Sequence, residues 1–250
     1  MLILGSNKTF DFEYYYDTGD RFVGGQIAID SYEPFESKLF QESLRDNSIL
    51  FDIGANIGYY TILASRKINT GRICSFEPNR ANHLILEMNI LKNKISCAQA
   101  YRLAVGSIRG KANLYLSTEN QGDHQLYFSD TRATEEVDTI PIDEFSNESG
   151  LIPDVVKIDT QGYDYFVISG MKDLIARTAP FTLFTEFWNH GNIQAGVDSR
   201  EYFQYLQDAF GSVEYIDEVR QSTYRIDYAF VETECKKFNG INHVNLFCRK

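Results

Sequence analysis

A chain of 250 residues, 43% hydrophobic and 14% aromatic, carries enough apolar surface for one well-buried core. Its 35 acidic and 24 basic residues leave a formal charge of −11, and it contains no Lys/Arg-rich run. Both features disfavour a nucleic-acid partner, which is gripped through clustered cations, and favour a small-molecule one. Residues 1–10 show neither a basic start nor a long apolar core, so export is not expected, and no window approaches the roughly 18 uninterrupted apolar residues of a membrane helix. The expectation is a cytoplasmic protein with no membrane partner. Cys74, Cys97, Cys235 and Cys248 show no paired spacing, so they read as reduced thiols and no metal site is predicted.

In chain order, residues 1–47 read as a cap, with aromatic strand-like pieces and then a helix over 36–44. Strand 49–53, helix 57–68, strand 72–76 and helix 79–91 follow, then a strand over 98–105. An inserted β-hairpin is expected within about 110–145, its strands 112–116 and 125–128 flanking Gln121-Gly122-Asp123. The parallel rhythm returns with strand 153–159, helix 163–175 and strand 181–187. Helix 199–210 and strands 213–216, 226–231 and 244–248 close the chain. This alternation predicts one α/β domain over 1–250, with a Rossmann-like, mostly parallel sheet over 48–250, an antiparallel edge strand, an N-terminal cap and an inserted hairpin.

The chemistry concentrates where strand 49–53 runs through Asp52 into Gly54-Ala55-Asn56-Ile57-Gly58 and then a helix. Such a turn offers backbone N–H groups and a positive helix end to a nucleotide-like ligand. The three-glycine spacing of a dinucleotide site is missing, and Asp52 would oppose phosphate while attracting a cationic amino-acid group. A sulfonium cofactor therefore fits better than NAD. Glu77, followed by Pro78, ends the next strand about 20 residues on, where a carboxylate takes ribose hydroxyls.

The ordered set Asp52-Ile-Gly-Ala-Asn-Ile-Gly-Tyr-Tyr-Thr61, Phe76-Glu77-Pro78-Asn79 and Val156-Lys-Ile-Asp-Thr-Gln-Gly-Tyr-Asp164 resembles the FkbM family of S-adenosylmethionine-dependent methyltransferases. The resemblance implies a class I methyltransferase fold, a seven-stranded sheet with one antiparallel strand. It also implies methylation of an oxygen, in some relatives a nitrogen, on a sugar, polyketide, peptide or similar metabolite. It would place the methionine end of S-adenosylmethionine along Gly54 to Gly58, the ribose on Glu77 and the adenine near Ala104, Val105 and Gly106. The chain departs from the family's Asp-x-Glu-Gly-x-Glu pattern, with Gln161 for the first Glu and Asp164 for the second. Gln161 cannot act as a base.

Asp159 and Glu186 are the leading catalytic residues, each following a strand whose C-terminal end faces the cofactor crevice. Asp159 is also expected to touch the cofactor. His190 offers a base four residues after Glu186, or a merely solvated or packed ring. Lys157 divides evenly between site and structural ion pair; His124 reads more readily as an exposed loop residue; Tyr32 and Glu33 reach the ligand or only pack. A Mg²⁺ on Asp159 and Glu186 has no compact motif behind it. Two alternatives stay open, an NAD-dependent oxidoreductase and a non-catalytic cofactor-binding module. The aromatic density of cap and tail permits a homodimer.

Overall fold

A computed structural model describes residues 1–20, 22–118, 120–240 and 242–250. The strands are β1 (Leu2–Asn7), β2 (Phe12–Asp17), β3 (Ile49–Ile53), β4 (Arg72–Phe76), β5 (Ala98–Tyr101), β6 (Ala104–Val105) and β7 (Gly110–Leu116). They continue as β8 (Ala133–Ile140), β9 (Val155–Ile158), β10 (Thr182–Phe187), β11 (Ser212–Asp217), β12 (Ser222–Arg225) and β13 (Val244–Arg249). Eight of them form the main sheet in the order β12-β11-β13-β10-β9-β3-β4-β5, parallel from β10 to β5. The fold is therefore that of a class I methyltransferase, with a mostly parallel central sheet. The reversed strand β13 lies between β10 and β11, and β12 adds an antiparallel margin, so the sheet exceeds the expected seven strands.

Alternation along the strands sorts the core into two layers. Phe51, Ile53 and Val156 face the helices Asp164–Ser169, Lys172–Arg177 and Ser199–Ala209. Leu50, Val155 and Phe184 face the cap and the helix Tyr59–Ser65. In the cap, the β1–β2 hairpin and the helices Gly24–Ala28 and Pro34–Glu42 pack onto this second layer through Phe12, Tyr14, Ile27 and Phe40. The helix Pro34–Glu42 is capped from the far end of the chain, since the Glu218 carboxylate accepts from Phe35 N at 2.9 Å and Glu36 N at 2.8 Å.

Four local expectations change. The strand over 98–105 ends at Tyr101, and Ala104–Val105 leaves the sheet to pair with β8. The insert pairs β7 with β8 over seven residue pairs around Ala104, Leu114 and Val137, whereas the predicted strand 125–128 keeps one bridge, Gln125 to Tyr115. The helix over 163–175 breaks at Gly170, where a Cβ would sit 2.1 Å from the Gly106 carbonyl oxygen, a crossing no side chain permits. Residues 226–231 are not a strand: Asp227 caps a helix, Tyr228–Cys235, by accepting from Phe230 N at 2.9 Å, and Val231 and Cys235, one turn apart, are both buried. A further short helix, Asn189–Gln194, follows β10, and Ile142–Ser149 follows β8.

The layer facing the cap holds the one buried ion pair among the described residues with both side chains almost fully enclosed. Lys157 lies beside Asp52 in register, 3.3 Å from Glu36 of the cap helix and 4.8 Å over the Tyr60 ring. Its ion-pair partner is thus Glu36, and the same side chain also reaches the cavity described below. Burial disfavours its charge, but Glu36 and Glu33 hold it protonated. Removing one member of a buried pair costs about 3–5 kcal/mol. Lys157→Met should lower the unfolding free energy by about 3 kcal/mol, the low end because Glu36, pushed up to about 8 by burial, can take a proton. Adding Glu36→Gln should restore most of the loss; denaturant titration showing Lys157→Met as stable as the parent would refute the clamp.

Candidate active site

The loop after β3 is shaped first by the protein itself. Gly54 has φ +80°, and a Cβ there would lie 1.9 Å from the Asp159 carbonyl oxygen, so the ends of β3 and β9 touch only because position 54 is glycine. Gly54 N and Ala55 N both donate to Phe76 O, at 2.9 and 3.0 Å, which ties the loop to the end of β4. The Glu77 carboxylate then accepts from Asn56 N and Asn79 N, each at 2.9 Å. Burial pushes Glu77 up to about 7 against the pull of those two N–H groups. Each of its oxygens retains a lone pair for a hydroxyl donor.

Glu77 and Pro78 line a narrow cavity whose apolar walls are Ile53, Phe76, Leu103, Ala104, Val105 and Leu126. His124 is part of this cavity, half-buried, its Nδ1 accepting from Ser117 N at 3.1 Å, and is not the exposed loop residue expected. The insert loop closes over the site because Asn56 and Asn82 both donate to Gln121 O, at 3.2 and 2.9 Å. Gly58 lines neither cavity; it starts the helix Tyr59–Ser65 with φ +92° against Leu86.

A wider cavity of about 580 Å³ adjoins the first at Gly54, Asn56, Gly122, Asp159 and Gln161. Its walls include Tyr32, Tyr59, Tyr60 and Trp188, and the carboxylates of Glu33, Asp52, Asp123, Asp159 and Glu186. Strand registry explains the gathering: Asp52 opposes Lys157, Lys157 opposes Phe184, and Glu186, two residues on, emerges on the same face opposite Asn245. Asn245 donates to Glu33 at 2.9 Å and to Glu36, and Tyr60 donates to Glu33 at 2.6 Å. Tyr32 and Glu33 thus belong to the cavity wall.

Asp159 accepts from Gln161 at 2.8 Å, so the residue in place of the family's Glu orients the first carboxylate. Asp164 lies buried behind it, accepting from Gly162 N at 3.2 Å. Asp52 accepts from Thr61 at 2.7 Å, and burial pushes it up to about 6. Glu186 is raised too, by burial and then by Asp159 and Asp164; its Oε2 is buried with no hydrogen-bond partner among the described residues. His190 lies exposed on the rim, its ring 5.5 Å from that of Trp188. The reading from sequence missed His243, whose Nδ1 lies 3.6 Å from Glu186 Oε1, because its place depends on β13 running antiparallel beside β10. Among the described residues, no three His, Cys, Asp or Glu side chains form a metal-holding group.

These raised carboxyls set a pH dependence. Asp52, Glu77 and Asp164 hold protons in the folded state, at about 6, 7 and 7, that an unfolded chain releases near 3.8 to 4.5. Their contribution to stability is full below about pH 4 and is lost as pH rises through 7. The midpoint of thermal unfolding without ligand should fall between pH 5 and 8 by an amount that Asp164→Asn reduces; an equal fall in that variant would contradict the assignment.

The Methyltransferase FkbM domain family matches residues 52–210, more than half of the chain, and the chain belongs to that family. Hexuronic acid methyltransferase AglP of Haloferax volcanii is 28% identical over 180 residues, covering 71% of this chain and 69% of the relative. Methyltransferase 1 of Beauveria bassiana is 25% identical over 149 residues, covering 51% of this chain and 60% of that protein's length. The solved structure of P. horikoshii TYW2 in complex with MeSAdo shares the fold, with TM-score 0.52 at 11% identity over 99% of this chain and 70% of the other.

Proposed function

We propose that this protein transfers a methyl group from S-adenosylmethionine to an oxygen of a small, polyhydroxylated acceptor of the sugar or sugar-bearing metabolite class. The observation that carries the reading is the Glu77 carboxylate, fixed by Asn56 N and Asn79 N between the glycine loop and an apolar slot. The donor set fits the cofactor. A ribose diol would meet Glu77, the adenine would lie between Ile53, Ala104, Val105 and Leu126, and the cationic methionine end would meet Asp52, Asp159 and the loop Gly54 to Asn56. The same carboxylates would repel the pyrophosphate of NAD. When bound, S-adenosylmethionine supplies an electrophilic methyl on a sulfonium.

The residues of the wide cavity then have separate tasks. Tyr32, Tyr59 and Trp188 give flat faces on which a sugar ring packs, while Asp159 and Glu186 orient the attacking hydroxyl. The name of the haloarchaeal relative supports a sugar acceptor. A small acceptor, not a nucleic acid, agrees with the charge of −11, and four buried free thiols agree with a reducing cytoplasm.

Transfer of labelled methyl from S-adenosylmethionine should be tested on neutral hexosides, hexuronic acids, polyketides and peptides, with label expected on a sugar hydroxyl. Label on a nitrogen or on a non-sugar acceptor alone would refute the acceptor assignment. Glu186→Gln should lower turnover on the order of 100-fold while S-adenosylhomocysteine still raises the unfolding midpoint as in the parent. Parental turnover in that variant would remove Glu186 from the mechanism.

A further inference from the structure

The cavity holds two histidines, and they differ in what stands behind the ring. His190 packs on Trp188 at the rim and has no carboxylate within 4.0 Å among the described residues. His243 lies one residue before β13, where Val244 pairs with Phe187 and Asn245 with Glu186, so the end of this ladder holds the ring at the end of β10. Its Nδ1 is 3.6 Å from Glu186 Oε1, and the side chain is 51% exposed, open to both cavity and solvent.

Glu186 is only partly engaged by its surroundings. Among the described residues its Oε2 is buried without a hydrogen-bond partner, and Lys157, the nearby cation, is engaged by Glu36 and Tyr60. The imidazole Nδ1 stands nearest the other oxygen, Oε1, at 3.6 Å, so a small shift of either side chain closes an Nδ1–H hydrogen bond to this carboxyl, and a ring held through Nδ1 presents Nε2 as an acceptor. The charged groups around the pair are Lys157 from β9, Asp159 just after it, Asp164 from the following helix and Glu33 from the cap.

We propose that His243 is the catalytic residue that takes the acceptor's proton, with Glu186 positioning its ring through Nδ1. This rests on the methyl-transfer reading above. The acceptor hydroxyl oxygen forms its bond to the methyl carbon as the carbon–sulfur bond breaks, and the electron pair of that bond stays on sulfur. The hydroxyl proton passes to His243 Nε2 and from there to solvent, which the half-exposed ring meets directly. His190, the base suggested by sequence spacing, then serves the rim and not the proton transfer.

The test uses the full chain saturated with S-adenosylhomocysteine and long-range ¹H–¹⁵N spectra of its four histidines, assigned with His243→Asn and His190→Asn. On the neutral ring, His243 should carry its proton on Nδ1, and Glu186→Ala should move it to Nε2. A parental His243 protonated on Nε2 overturns the proposal without any acceptor in hand. With a sugar acceptor that turns over, His243→Asn should lose on the order of 100-fold in kcat at unchanged S-adenosylhomocysteine affinity, and added imidazole should recover part of the activity of His243→Ala. Loss confined to His190→Asn would equally overturn it. Failure of the cofactor reading shows separately, as absence of S-adenosylhomocysteine binding by calorimetry.

Discussion

The interaction on which the site depends is the enclosed contact between Lys157 and Glu36. Taking two charges out of water is expensive, and the attraction between them repays that cost only when the geometry is good and the remaining polar atoms are engaged. Here Tyr60 covers the ammonium and Asn245 donates to Glu36 and Glu33. The arrangement therefore specifies one seating of the cap on the sheet. It brings Tyr32 and Glu33 to the cavity wall, where Asn245 of β13 meets Glu33 and Glu36. An apolar pair would hold the cap with less directional control.

The second constraint is the meeting of two strand ends. Because Gly54 lets the loop after β3 rest against the Asp159 carbonyl, the glycine loop and the residue after β9 pack as one unit. Glu77 is fixed to the same loop through Asn56 N. The residues proposed to meet ribose, methionine and acceptor thus sit at or next to strand ends, which favours a preorganised geometry. The concentration of carboxyls raised by burial is destabilising in itself, and groups perturbed in this way cluster at functional sites.

Much of this was legible in local sequence. The run Ile49 to Gly58, with Glu77 after the next strand, announces a strand, a tight turn, a helix and a carboxylate beside that turn within thirty residues, all fixed by short-range rules. Asp159 and Glu186 follow from the same logic of parallel strand ends. His243 and Asn245 did not, because only the long-range reversed pairing of β13 with β10 carries them to the site. Glu218 capping a helix about 180 residues earlier is hidden for the same reason. The stretch 226–231 misled because its β-branched and aromatic content suits a strand, whereas the cap at Asp227 and the burial of Val231 and Cys235 decide for a helix.

The most direct test of the account is calorimetric titration of S-adenosylhomocysteine into the parent and into Glu77→Ala. One site should be seen in the parent, and loss of two hydrogen bonds to a charged group, each worth about 1.5–3 kcal/mol, should weaken binding at least about 100-fold in the variant. Equal affinity in the two proteins, or binding of NADH in place of S-adenosylhomocysteine, would contradict it.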